Sequence, residues 1–123
     1  MSDSKLKNAL ATHVHLELWG VEGAILDDPS RLERVLLNAA AAAKCTVIGS
    51  VKHHFTPHGA SVVVLVAESH LSIHTWPEHG YAAADILTCG QTLPEAGVKS
   101  LIEQLNPVKS DVQRYERGVV QPP

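Results

Sequence analysis

The sequence predicts an α+β fold, a two-layer sandwich in which a largely antiparallel sheet carries two helices on one face. Three observations carry that prediction. Short runs alternate apolar and polar residues or crowd β-branched ones, as in "HVHLELW" and "SVVVLVAE". Two longer stretches repeat apolar residues at helical spacing, one in each half of the chain. Four of the strand-like runs follow one another between those helices, which separates helices from sheet rather than alternating them. At 123 residues one domain spanning 1–123 fits, with a core that removes roughly 65% of the unfolded chain's surface from water.

Residues 1 to 11 are polar and are expected to be loosely held. After them, His13, His15, Glu17 and Trp19 alternate with Val14, Leu16 and Leu18, the period of a half-buried strand. "LDDPSRLERVLLNAAAAAK" then opens a helix, with Asp28 as N-cap, Pro29 in the first turn, and Leu32, Val35, Leu36 and Ala39 on one face. "TVIGSVKHHF" reads as a strand interrupted at Gly49-Ser50, and "TPHGA" as a turn. The unbroken β-branched run of "SVVVLVAE" predicts a strand covered on both faces. "SHLSIHTW" is the next strand, "PEHGY" a turn, and "AAADILTC" a further strand. "LPEAGVKSLIEQLNP" is the second helix, started near Pro94, striped by Val98, Leu101, Ile102 and Leu105, and stopped by Pro107. "SDVQRYERG" closes the sheet.

Hydrophobic residues make up 45% of the chain and charged residues 19%, ordinary for a globular protein, and no window has the apolar length of a membrane span. A formal charge of −3 gives no bulk pull toward nucleic acid or anionic membrane, so neither is expected as a partner. The amino terminus lacks the basic, apolar, small-residue order of a secretory signal, which predicts a cytoplasmic protein in which Cys45 and Cys89 are free thiols.

The reactive side chains concentrate between residues 53 and 90. On a strand over 69–76, His70, Ser72, His74 and Trp76 share one face while Leu71, Ile73 and Thr75 share the other. Six of the eight histidines lie between 53 and 79. Imidazole suits zinc, copper or nickel, but the spacing matches no closed zinc pattern, and no metal is expected. His53, His54, His58 and His79 sit in polar or turn settings and read as solvated. A Ser-His-Asp hydrolase could draw on Ser69 or Ser72, His74 and Asp85, but the chain has no Gly-x-Ser-x-Gly elbow. Cys89 with His74 could make a thiolate nucleophile, which composition leaves open.

Taken whole, "ESHLSIHTWPEHGYAAADILTCG" resembles the signature of the short prokaryotic S-adenosylmethionine decarboxylase proenzymes, and the likeness runs from "HLELWG" near residue 15 to "ERG" at 116–118. The resemblance implies self-cleavage between Glu68 and Ser69 into a β chain, 1–68, and an α chain, 69–123. It implies that Ser69 becomes a pyruvoyl group, the chain's own cofactor, which forms a Schiff base with the substrate. It also implies a homodimer of cleaved protomers with active sites where the two meet. The chemistry explains the crowding, since no protein side chain accepts electrons from a breaking Cα–carboxylate bond and a decarboxylase needs an electrophilic carbonyl. Attack of the Ser69 hydroxyl on the Glu68 carbonyl would exchange amide for ester, elimination would free the upstream chain, and hydrolysis of the dehydroalanine would leave the keto cap. That first step wants a sharp corner between a strand ending at 67 and one starting at 70, with the oxyanion stabilised.

By the same resemblance Ser61 and His74 assist maturation, His74 as the group that moves a proton, and Cys89 is the acid that reprotonates the product. Phe55, Leu71, Trp76 and Glu78 match the positions that line the nucleoside pocket, with Glu78 on the ribose hydroxyls. The implied reaction yields the aminopropyl donor for spermidine biosynthesis. The pattern departs in a few places: the family usually carries glycine after the maturation serine, where this chain has Val62, and "TPHGAS" and "WPEHG" differ somewhat from the commonest forms. Departures at these positions keep L-ornithine or L-arginine as an alternative substrate.

Overall fold

A computed structural model describes residues 9–120. Six strands form one antiparallel sheet: β1 (Ala9–Trp19), β2 (Thr46–His54), β3 (Ala60–Ala67), β4 (Ser69–Trp76), β5 (Tyr81–Thr88) and β6 (Lys109–Val119), in the spatial order β2-β3-β4-β5-β1-β6. The helices are α1 (Gly23–Leu26), α2 (Pro29–Ala42) and α3 (Pro94–Leu105), with a 3₁₀ turn at Pro77–His79. The expected α+β architecture is what is found. The amino-terminal stretch expected to be loosely held lies outside the described residues as far as residue 8, and residues 9–11 are already part of β1.

The two long helices carry local end signals. Asp28 accepts the Arg31 amide through Oδ1 at 3.1 Å and caps α2, an interaction typically worth about 1 kcal/mol, and Pro29 takes the first helical position, where no amide is needed. Leu32, Val35, Leu36 and Ala39 are buried, as their spacing predicts. In α3, Val98, Leu101 and Leu105 are buried, and Asn106 ends the helix in the left-handed region at φ 49°. α1 is the element that the pattern missed, because four residues are too few to show a period.

Both long helices cover one face of the sheet, against Val14, Leu16 and Leu18 of β1, Val62, Val64 and Val66 of β3, Leu71 and Ile73 of β4, and Ala84 and Ile86 of β5, all at most 4% exposed. The other face carries no helix. This corrects the expectation of a doubly covered β3, since only Val62, Val64 and Val66 are buried while Val63 is 38% and Leu65 50% exposed. A β-branched run marks strand and does not say how many faces the same chain covers. β2 is one of the two edge strands, and its register shifts between Val47 and Gly49, so the expected interruption is a bulge rather than a break.

The open face follows from the cross-strand register. His13, His15, Glu17 and Trp19 of β1 stand beside Tyr115, Gln113, Asp111 and Lys109 of β6 and beside Leu87, Asp85, Ala83 and Tyr81 of β5. His70, Ser72 and His74 of β4 pair with Leu87, Asp85 and Ala83 on one side and with Leu65, Val63 and Ser61 on the other. The reactive residues of the sequence therefore lie on the uncovered side.

Candidate active site in two halves

The first half lies at the corner between β3 and β4. β3 ends at Ala67 and β4 begins at Ser69, so Glu68 alone makes the turn; the Ala67–Glu68 peptide is cis. This is the sharp corner that attack by Ser69 on the preceding carbonyl calls for. Cys89, just past the end of β5, reaches the same place, its Sγ 3.1 Å from Glu68 Oε1 and 3.8 Å from the Glu68 carbonyl oxygen. The hydrogen bond to Glu68, then burial and the Glu68 charge, push the Cys89 thiol up from its ordinary value. A thiol held protonated at neutral pH is suited to giving a proton and unsuited to serving as a standing nucleophile.

The second half lies toward the other end of β4. Ser61 and His74 face each other across β3 and β4 and share a hydrogen bond, Oγ to Nδ1, of 2.7 Å. Beside them Phe55, His58, Gly59, Ala60, Thr75, Trp76 and Glu78 complete a pocket of about 440 Å³. Its rim is shaped by the turn before β3. Gly59 there has φ +106°, where a Cβ would stand 3.1 Å from the Thr75 carbonyl, and its amide donates to Asp27 Oδ1 at 2.8 Å. Trp76 is 42% and Phe55 46% exposed, so both offer open aromatic faces to a ligand and Trp76 is no core residue. His58 Nε2 pairs with Glu78 at 3.0 Å, with about 40% of each side chain exposed, the kind of surface pair that contributes about 0 to 1 kcal/mol and yields its carboxylate at little cost.

Five residue steps along β4 separate Ser69 from His74, about 16 Å at the usual strand rise of about 3.3 Å. One copy of the chain therefore does not bring His74 or Ser61 to the corner that they are expected to serve. Leu71 is also placed elsewhere: it is 0% exposed, packed under the helices against Val64 and Ile86, and cannot present its side chain to a pocket ligand. The hydrolase readings lose their geometry as well, because His74 bonds Ser61 while Asp85 bonds Ser72, and Cys89 sits at the end of the sheet away from His74.

A family-wide sequence profile described as S-adenosylmethionine decarboxylase matches residues 12–118. The chain belongs to the S-adenosylmethionine decarboxylase family. It is 44% identical over 112 residues to the S-adenosylmethionine decarboxylase proenzyme of Methanococcus maripaludis, covering 90% of this chain and 92% of that one. To the proenzyme of Aquifex aeolicus it is 42% identical over 119 residues, covering 94% and 87%. The crystal structure of the adenosylmethionine decarboxylase from Aquifex aeolicus matches with a TM-score of 0.87 at 42% identity, over 93% of this chain and 95% of that one. The Trypanosoma brucei AdoMetDC-delta26 monomer shares the fold, with a TM-score of 0.60 at 14% identity, and this chain spans 44% of its length.

For an S-adenosylmethionine decarboxylase, the departure at Val62 is harmless to the pocket, because this side chain is 0% exposed and points into the helical layer opposite Ile73. Sequence reasoning singled out Asp85 only as a hydrolase candidate and His13 only as a strand residue, and missed Arg117; on the open face His13 links the other two. Sequence reasoning also missed Tyr81, which lies between Trp19 and Trp76 with tilted rings and centroids 5.8 and 5.3 Å away and donates its hydroxyl to Glu17. Burial, then this hydrogen bond and the Glu17 charge, push the phenol up from 10.0 to about 12. The native state thus holds the neutral phenol. Any stability it lends is complete below the unfolded value near 10 and is lost as pH rises toward about 12. Ultraviolet titration of tyrosinate should show a late phase near pH 12 that disappears in Tyr81→Phe; a wild-type titration finished by pH 11 would contradict the bond to Glu17.

Proposed function

We infer that this chain is a self-processing carboxy-lyase that decarboxylates S-adenosylmethionine with a pyruvoyl group made from its own Ser69. The observation that carries the reading is the corner itself, where a single residue joins β3 to β4 and the Cys89 thiol stands 3.1 Å from its carboxylate. The residues there fit such a group: the serine that would become it begins a strand held by pairs on both sides, and the neighbouring thiol is kept protonated.

A pyruvoyl group supplies the electrophilic carbonyl that takes up the electron pair left when carbon dioxide departs. The rest is done by side chains. In the precursor Ser69 attacks the Glu68 carbonyl, and His74, hydrogen-bonded to Ser61, moves the proton that the rearrangement requires. Cutting the bond leaves the β chain 1–68 and the α chain 69–123 as neighbours in one sheet, since β3 and β4 stay paired from Ser61↔His74 to Val66↔Ser69. In the mature enzyme Phe55 and Trp76 hold the adenine between aromatic faces, Glu78 takes the ribose diol as two donors, and Cys89 returns the proton to the product. That product is the aminopropyl donor for spermidine biosynthesis.

The site is completed by a second copy. With Ser69 and Cys89 at one end of β4 and Ser61, His74, Phe55, Trp76 and Glu78 toward the other, a two-fold pairing through the open sheet face sets the first half of one protomer against the second half of its partner. Val51 at 72%, Leu65 at 50% and Val63 at 38% exposure give that face an apolar patch to cover. The two free thiols suit a reducing compartment, the cytoplasm; among the described residues no helix is long and apolar enough to cross a membrane.

Substrate identity is tested by carbon dioxide release from carboxyl-labelled S-adenosylmethionine, L-ornithine and L-arginine. Release from S-adenosylmethionine is the expected result. Release from either amino acid alone would replace it with the alternative substrate.

A further inference from the structure

We propose that Asp85 is a positioning residue for the decarboxylation: linked to His13 and Arg117, it fixes His70, the residue from which the keto group hangs once the chain has been cut. This rests on self-cleavage at Glu68–Ser69.

The network crosses four strands on the open face. Arg117 of β6 donates from Nη1 to His13 Nδ1 at 2.9 Å, His13 of β1 donates from Nε2 to Asp85 Oδ2 at 2.6 Å, and His70 of β4 donates from Nε2 to the same oxygen at 3.0 Å. The Ser72 hydroxyl donates to Asp85 Oδ1. Direction is set at the far end. A guanidinium has donors only, so Nδ1 of His13 must accept and its proton must lie on Nε2, aimed at Asp85. The Asp85 side chain is 21% exposed and His13 12%. Burial raises the Asp85 carboxyl, but the bonds from Ser72, His13 and His70 more than offset it and hold it below its ordinary value.

The same three residues, His13, His70 and Asp85, place ligand atoms within 4.8 Å of one another, spacing that a transition metal could use. Arg117 argues against it. A metal on His13 Nε2 would displace the proton that the Arg117 bond requires there, and would leave an imidazole with no proton on either nitrogen.

What the network secures changes with cleavage. In the precursor Ser69 is tethered on both sides, by Glu68 and by His70. After the cut, the group formed from Ser69 is joined to the protein through the His70 amide alone, so its orientation toward Cys89 depends on how firmly His70 is held. Loss of Asp85 should therefore spare cleavage and impair turnover, because small misplacements of a reacting group cost up to about 100-fold in rate.

The test uses Asp85→Asn in the full chain. Self-cleavage should proceed to completion by intact mass, KM should stay within about threefold, and kcat should fall by about 10- to 100-fold. Arg117→Met, one link further out, should show the same split at smaller size. A readout independent of turnover is nitrogen NMR of the histidines in uncut Ser69→Ala protein, where His13 should carry its proton on Nε2 alone. Wild-type kcat in Asp85→Asn, cleavage and kcat lost in equal measure with a lowered melting temperature, or a His13 proton on Nδ1 would each overturn the proposal while leaving the self-cleavage reading standing. An uncut, active wild type would overturn both.

Discussion

Ser69→Ala is expected to remain one uncut chain of 123 residues and to show no decarboxylation above background. The expectation follows from chemistry rather than from packing. Alanine has no hydroxyl to attack the Glu68 carbonyl, so the amide-to-ester exchange cannot begin, and without it the chain has no electrophilic carbonyl to receive electrons from the leaving carboxylate. The fold should be indifferent: Ser69 is the first residue of β4, paired with Val66 through the backbone, and a methyl in place of a hydroxymethyl alters no core contact. A denaturing gel and carbon dioxide release measured on the same preparation read both consequences. Cleavage or turnover in this variant would mean that the reactive carbonyl comes from elsewhere.

The second large effect is a gain. Ser69→Ala and His74→Ala should each be inactive when expressed alone, the first for want of the attacking serine and the second because the proton transfer in maturation fails. Co-expressed, they should recover about a quarter of wild-type activity, because random pairing of two copies makes half of the dimers mixed and each mixed dimer rebuilds one of its two sites. In that rebuilt site Ser69 comes from the His74→Ala copy and His74 from the Ser69→Ala copy. The outcome follows from the proposed two-fold pairing, since five residue steps along β4 keep Ser69 and His74 of one copy about 16 Å apart. Failure of the mixture to recover, with mixed dimers demonstrated by mass, would place both halves of the site in one protomer.

Much of this was legible in the residues, for reasons that can be stated. The alternation of His13, His15, Glu17 and Trp19 against Val14, Leu16 and Leu18 reports which side of β1 faces the core, and the same parity put His70, Ser72 and His74 on one face of β4. Asp28-Pro29 and Asn106-Pro107 mark helix ends through backbone groups that must be capped or cannot be made. The misses concern tertiary placement. Covering of β3 on a second face depends on where the helices pack, and the meeting of Asp85 with His13 and Arg117 depends on which strands are neighbours. Parity along one strand is silent on strand order. His13 and Asp85 are 72 residues apart and touch because β1 inserts between β5 and β6, a placement that local pattern does not encode. Leu71 illustrates the converse, a motif position whose side chain the strand's own alternation sends to the core.

The most direct measurement is the intact mass of freshly purified wild-type protein under denaturing conditions. The account predicts two species, residues 1–68 and residues 69–123, the second beginning with a pyruvoyl group in place of serine. A single species with the mass of the whole chain, from a preparation that releases carbon dioxide from S-adenosylmethionine, would contradict it.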